Sequence, residues 1–274
     1  MKKFTQNFLV IFFTIAFTLT PSVFVEAEDV EESDSGHLSF LFLGVDTGDL
    51  DRVDQGRSDT LMVLDINTET NQGVLASIPR DAYVEIEGYG MDKINHAYAF
   101  GGLELSLDTV NSFLETEIND YVVVNMGGLK EIIDAVGIIE VTPPTSFSIG
   151  GYSFTAGVPV ELDSEMALAY ARERYTSGGD YARQERQREI VQAIIQKVAS
   201  VESIMNFIPM FSALSNNIET NLTLPQLFEL FQLYNADMSI QEYQLEGAGE
   251  MIDGIYYDQI NSDSLAELKG LLHN

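Results

Sequence analysis

Apolar residues along the chain change period several times, and each change predicts an element. The segment HLSFLFLGV contains an unbroken apolar run over 38–45, and TLMVLDI (60–66) and GVLASI (73–78) repeat that texture. Short continuous runs of this kind predict strands covered on both faces. The turn-rich NTETNQG between the second and third runs predicts an antiparallel pair. Over 103–116 the apolar positions fall at Leu103, Leu107, Val110, Phe113 and Leu114, which is helical spacing, and DYVVVNM then returns to strand. A short helix over 128–137 ends at Gly137, followed by the strand IIEV, giving an α/β alternation.

Asp163 is positioned to cap a helix through SEMALAYARER, and Asp180 to cap another through YARQERQREIVQAIIQKV. The second carries an apolar stripe at Ile190, Val191, Ile194, Ile195 and Val198, and the loop 175–179 separates the two helices. Amphipathic helices follow over 204–214 and 224–234, then a strand over 240–245 and a final helix over 262–272. These alternations predict an α/β fold, a central mixed β-sheet flanked by helices in α-β-α layers.

The first 36 residues stand apart from this pattern. Lys2 and Lys3 precede an uncharged stretch over 4–25, which reads as an export signal or a signal-anchor helix over 1–27. Cleavage after Ala27 releases the remainder; retention anchors it to the cell membrane. Residues 28–36 are acidic and without apolar period, as in a flexible tether, and 37–274 are expected to form a single extracytoplasmic domain.

Charge narrows the function. With 14 basic against 43 acidic residues the net charge is −29, which repels a nucleic-acid backbone, so no nucleic-acid partner is expected. The chain has no cysteine and only three histidines, so a bound metal would have oxygen ligands. Against this acidic background Arg52, Arg57, Arg80, Lys93, Arg172, Arg174, Arg183, Arg186 and Arg188 gather in a few polar segments, while Lys130, Lys197 and Lys269 lie elsewhere. The preference for arginine suits phosphate or carboxylate oxygens. Arg183, Arg186 and Gln187 share a helix face near an N-terminal end that favours anions. Surface ion pairing is the alternative for any one of these arginines, and Arg186 and Arg188, flanked by Glu185 and Glu189, are assigned to it. Asp46 ends the first strand and Asp59 begins the second; two such carboxylates either hold a divalent ion with phosphate oxygens or cap loops, as Asp49, Asp51 and Asp54 do.

The motifs FLFLGVD, GRSDT, SIPRD, DKINHAYAFGG, ALAYARER and GDYARQERQ occur in an order that resembles the LytR-CpsA-Psr family, over 38–195, with GEMIDGIYY extending the likeness toward the C-terminus. The resemblance implies an α/β domain outside the membrane. It also implies a phosphotransferase that moves a polyprenyl-pyrophosphate-linked glycopolymer, of teichoic acid or capsule type, to peptidoglycan. It makes Asp46 and Asp59 the carboxylates for Mg2+ or Mn2+ and, together with Arg57, Arg80, Arg172 and Arg174, catalytic. Arg183 and Gln187 then bind the pyrophosphate, with Lys93 at a further motif position. A lipid carrier requires an apolar groove, for which Val191, Ile194, Ile195, Ile204, Phe207, Ile208, Phe211 and Leu214 are candidates; the same stripe also reads as ordinary core. Two rival functions use the same residues: hydrolysis of the same donor, and noncatalytic binding of a wall polymer.

Overall fold

A computed structural model describes residues 36–47, 56–175, 178–200, 217–235 and 238–273, which belong to one compact unit. The leader, the three aspartates of the 48–55 loop, Arg52 and the 204–214 helix lie outside the described residues. Among those described, no helix is long and apolar enough to cross a membrane.

The chain order is β1 (His37–Val45), β2 (Ser58–Asn67), β3 (Gln72–Ser77), β4 (Tyr83–Ile86), β5 (Gly90–Lys93), α1 (His96–Leu114), β6 (Asp120–Asn125), α2 (Met126–Val136), β7 (Ile139–Val141), β8 (Phe147–Ile149), β9 (Tyr152–Phe154) and β10 (Val160–Leu162). Then come α3 (Ser164–Arg172), α4 (Gly179–Ser200), β11 (Ile218–Thr220), α5 (Leu224–Asn235), β12 (Ser239–Gln244), β13 (Gly247–Ile252), β14 (Ile255–Ile260) and α6 (Ser262–Leu272).

Six strands form the central sheet in the order β11-β6-β1-β2-β3-β12. β1 pairs antiparallel with β2 and parallel with β6, and β3 pairs antiparallel with β2 and parallel with β12, so the sheet is mixed as the patterning predicts. The central strands are apolar throughout because both faces are covered. Leu41, Leu43, Leu61 and Val63 pack with Val110 and Leu114 of α1 and Leu268 of α6. Phe40, Met62 and Leu64 face the other way, against Val191 and Ile195 of α4 and Leu230 of α5. Each such buried side chain contributes about 1.5–3 kcal/mol. A second core joins α2, α3 and α4 with the short strands β7 to β10.

The helices begin and end where their caps dictate. Asp163 accepts a hydrogen bond from the Met166 N–H, as its position predicts, and Asn125 accepts one from the Gly128 N–H, which starts α2 two residues before the predicted point. α1 starts earlier than its apolar period and kinks at Gly102, whose φ of 68° only glycine adopts readily. Asp180 behaves differently from expectation. It lies inside the first turn of α4, and its carboxylate accepts from the Arg183 and Gln184 side chains rather than capping the backbone. The physical reason is competition: a guanidinium three residues on is a stronger partner than a backbone N–H.

Candidate functional site

α4 crosses the sheet face formed by Phe42 and Met62, and between them lies a cavity of about 680 Å3. All nine candidate site residues line it: Asp46, Arg57, Asp59, Arg80, Lys93, Arg172, Arg174, Arg183 and Gln187. They come from six separate stretches of chain. The charged residues gather at the end where β1 finishes and β2 begins. Phe42, Met62, Val124, Leu129, Ile190 and Ile194 supply apolar walls farther along.

One helix face links the two ends. Arg183, Gln187, Ile190, Val191, Ile194 and Ile195 recur at helical spacing and all reach the cavity, so α4 runs from cationic to aliphatic along a single stripe. The stripe that reads as either core or groove from sequence therefore serves as cavity wall at these four apolar positions.

Asp46 is held by the base of the 47–56 loop. Its N–H donates to the Arg57 carbonyl at 3.2 Å, and its Oδ1 accepts from the Arg57 N–H at 2.8 Å. Gly56 makes this possible: its φ is +66°, and a Cβ there would lie 2.5 Å from Asp46 Oδ1. Asp59 Oδ1 accepts from Arg80 at 2.8 Å, and Arg183 donates to the Asp59 carbonyl at 2.8 Å, tying α4 to the start of β2.

Arg80 lies within 3.5 Å of Asp180 and 3.6 Å of Asp81 as well as beside Asp59. Burial works against its charge, but Asp59, Asp180 and Asp81 outweigh burial and hold its pKa above the ordinary arginine range. Arg183 is only 5% exposed; burial lowers its pKa, with Arg80 and Arg174 pushing the same way against Asp180 and Asp59. The Nε groups of Arg80 and Arg183 are both buried without a hydrogen-bond partner. Both guanidinium groups line the cavity with their positions fixed by carboxylates and a carbonyl, so they present positive charge to an anion at little ordering cost. Arg57 and Arg172 are exposed at the rim, and Arg174 donates to the Tyr175 hydroxyl at 3.0 Å.

Asp81 and Asp180 are the parts of the site that sequence reasoning missed. Asp81 accepts from Lys93 Nζ at 2.6 Å, and Asp180 lies 3.0 Å from Arg183. Their signal was adjacency: Asp81 follows Arg80, and Asp180 precedes Arg183 by three residues, a helical contact distance. Arg186 and Arg188 pair with acids as expected, but both arginines are buried: Arg186 meets Glu173 in the interior, and Arg188 reaches out to the exposed Glu242.

Among the described residues, no group of three or more His, Asp or Glu side chains could hold a metal alone. The cavity instead offers the carboxylates of Asp46 and Asp59. This donor set fits Mg2+, which takes one or two carboxylates and completes its octahedron with substrate phosphate oxygens and water.

The profile described as the LytR_cpsA_psr family matches residues 19–274. The polyisoprenyl-teichoic acid–peptidoglycan teichoic acid transferase TagU of Enterococcus faecalis is 45% identical over 239 residues, covering 86% of this chain and 78% of that protein. The crystal structure of Bacillus subtilis TagU superposes with a TM-score of 0.68 at 38% identity, covering 86% of this chain and 95% of the other. TagT bound to LIIa-WTA superposes with a TM-score of 0.76 at 32% identity, covering 89% and 93%.

Proposed function

Because the chain belongs to the LytR_cpsA_psr family, we propose that it is a transferase that moves a glycopolymer from a polyprenyl pyrophosphate carrier to a hydroxyl of peptidoglycan. The observation that carries this reading is the single cavity with a cationic mouth and an aliphatic interior. A pyrophosphate with a long hydrocarbon tail has that division of polarity, and a small soluble anion does not need the aliphatic half. The names of the relatives support a teichoic acid as the polymer, and the leader supports work on the outer face of the cell membrane.

In the proposed reaction the acceptor hydroxyl oxygen attacks the polymer-bearing phosphorus. The bond from that phosphorus to the bridging oxygen breaks, and polyprenyl phosphate leaves. Charge grows on the bridging and terminal oxygens as this bond stretches. The buried donors of Arg80 and Arg183, with Arg57, Arg172 and Arg174 at the rim, stabilise that charge. Asp46 accepts the hydroxyl proton in this reading, and Lys93 and Gln187 help orient the pyrophosphate. Mg2+ or Mn2+, when held by Asp46 and Asp59, supplies further neutralisation of the pyrophosphate.

The test incubates purified protein with lipid-linked donor and a peptidoglycan oligomer. Polymer linked to the oligomer is the expected product, and Arg80→Ala lowers its rate by about 10²–10³-fold. Free polymer phosphate without linked product makes the protein a hydrolase. Donor binding with no turnover, unchanged by Arg80→Ala, makes it a receptor.

A further inference from the structure

The β13–β14 hairpin is fastened to the two segments that carry the central cations. The Gly247 N–H donates to the Tyr181 hydroxyl of α4 at 2.9 Å, and the Asp258 N–H donates to the Asp81 carbonyl, beside Arg80, at 2.8 Å. Lys93, at the cavity mouth, has its Nζ 6.0 Å from the centroid of the Tyr256 ring. The hairpin therefore stands at the edge of the site, held to both its sides.

Tyr256 is 44% exposed, yet it is fixed. Its hydroxyl donates to Asp258 Oδ1 at 2.7 Å. Its ring lies across Gly249, where a Cβ would come within 2.6 Å of Cε2 and 2.7 Å of the hydroxyl oxygen. Gly249 does not need its glycine for a left-handed backbone; clearance for this ring is what it provides. Directly opposite in the hairpin register is Met251, 62% exposed, so an aromatic ring and a thioether share one face. A side chain free to move would shed such an exposed ring against its neighbours. This one is held by its hydroxyl while nearly half of it stays exposed, which lowers the ordering cost of whatever packs on it.

We propose that the Tyr256–Met251 face is the acceptor platform, on which an N-acetylhexosamine ring of the peptidoglycan glycan strand stacks to bring its hydroxyl to the cavity mouth. This rests on the transferase reading above. Charge selects the occupant: Asp258 shares this face, and Glu246 and Asp253 are exposed at the two ends of the hairpin, so an anionic donor polymer is repelled from it. A neutral sugar is not. Its apolar C–H face fits a tyrosine ring and a thioether, while the arginines across the mouth take the anionic donor.

The test measures transfer kinetics with a peptide-free glycan-strand oligomer as acceptor, together with saturation-transfer NMR of that oligomer on the protein. Tyr256→Ala is expected to raise the acceptor KM about tenfold, as loss of an aromatic anchor does, and to leave the donor KM within about twofold. Met251→Ala, at a more exposed position that folding does not need, raises it about threefold, and the exposed Ile138→Ala serves as the neutral control. Loss of the oligomer NMR signal in Tyr256→Ala supports the platform even if the wild type forms no linked product, an outcome that would sink the transferase reading alone. An acceptor KM and NMR signal unchanged in both variants, or a rise in donor KM instead, overturns the proposal.

Discussion

α4 presents arginines to two different environments only one turn apart. Arg183 lines the cavity, held by Asp180 and the Asp59 carbonyl. Arg186, expected on the same face, is turned about 60° round the helix from Arg183, which takes it out of the cavity lining and leaves it fully buried. It donates to the carbonyls of Tyr170 and Glu173 and to the Glu173 carboxylate, with its guanidinium 4.8 Å over the Phe147 ring. Those carbonyls close α3. Arg172 and Arg174, which line the cavity, sit on that same closing turn. One arginine thus waits for a ligand, and the other fixes the backbone that carries two more. What separates ligand-binding from structural arginine here is access to the cavity, since both are almost wholly removed from bulk water.

The largest effect that tests this contrast is on stability. Arg186→Met keeps volume but removes the charged donors that reach the Glu173 carboxylate and the carbonyls of Tyr170 and Glu173 in the interior. We expect a loss of about 3–5 kcal/mol, the usual cost of breaking a buried pair from one side. In a domain of this size that lowers the melting temperature by roughly 10 °C, measured by circular dichroism. A variant that melts like the wild type would remove Arg186 from its structural role.

Next comes the cavity side. Arg183→Ala should lower turnover of the lipid-linked donor by about a hundredfold, because it deletes a preorganised donor where charge develops. Lysine should not rescue it, since an ammonium lacks the planar fork that reaches Asp59, Asp180 and a phosphate together. Full turnover in a variant that melts far below the wild type would reverse the roles assigned to the two faces.

The contrast was only half legible in the sequence. That arginines rather than lysines gathered in a few polar segments marked an anion site, and the continuous apolar runs of β1 to β3 marked a sheet covered on both faces. Arg183 and Arg186 are three residues apart, however, and nothing local says which way α4 is rotated; the packing of Ile190 and Ala193 on α2 and α3 decides that. Asp180 read as a cap because helix-start aspartates usually are caps, and the guanidinium that captured it was visible only as a spacing. The hairpins β8–β9 and β13–β14 carried their own turn signals, Gly150-Gly151 and Asp253-Gly254, all four at positive φ. They escaped because their strands are three residues long in one case and contain Gly247, Ala248 and Gly249 in the other, too weak in β-propensity to register. The acceptor platform depends on the second of these, so the least legible element carries the newest part of the functional reading.

The smallest effect probes the buried side of α4 again, one turn beyond Arg186. Burial pushes the Glu189 carboxyl up to about 7; Glu185 and Glu242 add to this, and the Tyr170 hydroxyl bond and Arg186 only partly offset it. The folded state therefore prefers this group protonated. Its stabilising contribution is complete below the ordinary value of 4.5 and is lost as pH rises through about 7. Glu189→Gln keeps an acceptor for Tyr170 and removes the charge. With solvent screening of this half-buried group allowed for, the variant should be more stable than the wild type by about 1 kcal/mol above neutral pH, and the advantage should vanish toward pH ~4.5. Urea unfolding across that range reads the difference directly, and titrations of the other acids cancel between the two proteins. A difference that stays constant with pH would mean that Glu189 is already ionised in the fold, and that the sealed side of α4 is wetter than its packing indicates. Donor turnover should show no matching pH step from this group, because Glu189 does not line the cavity.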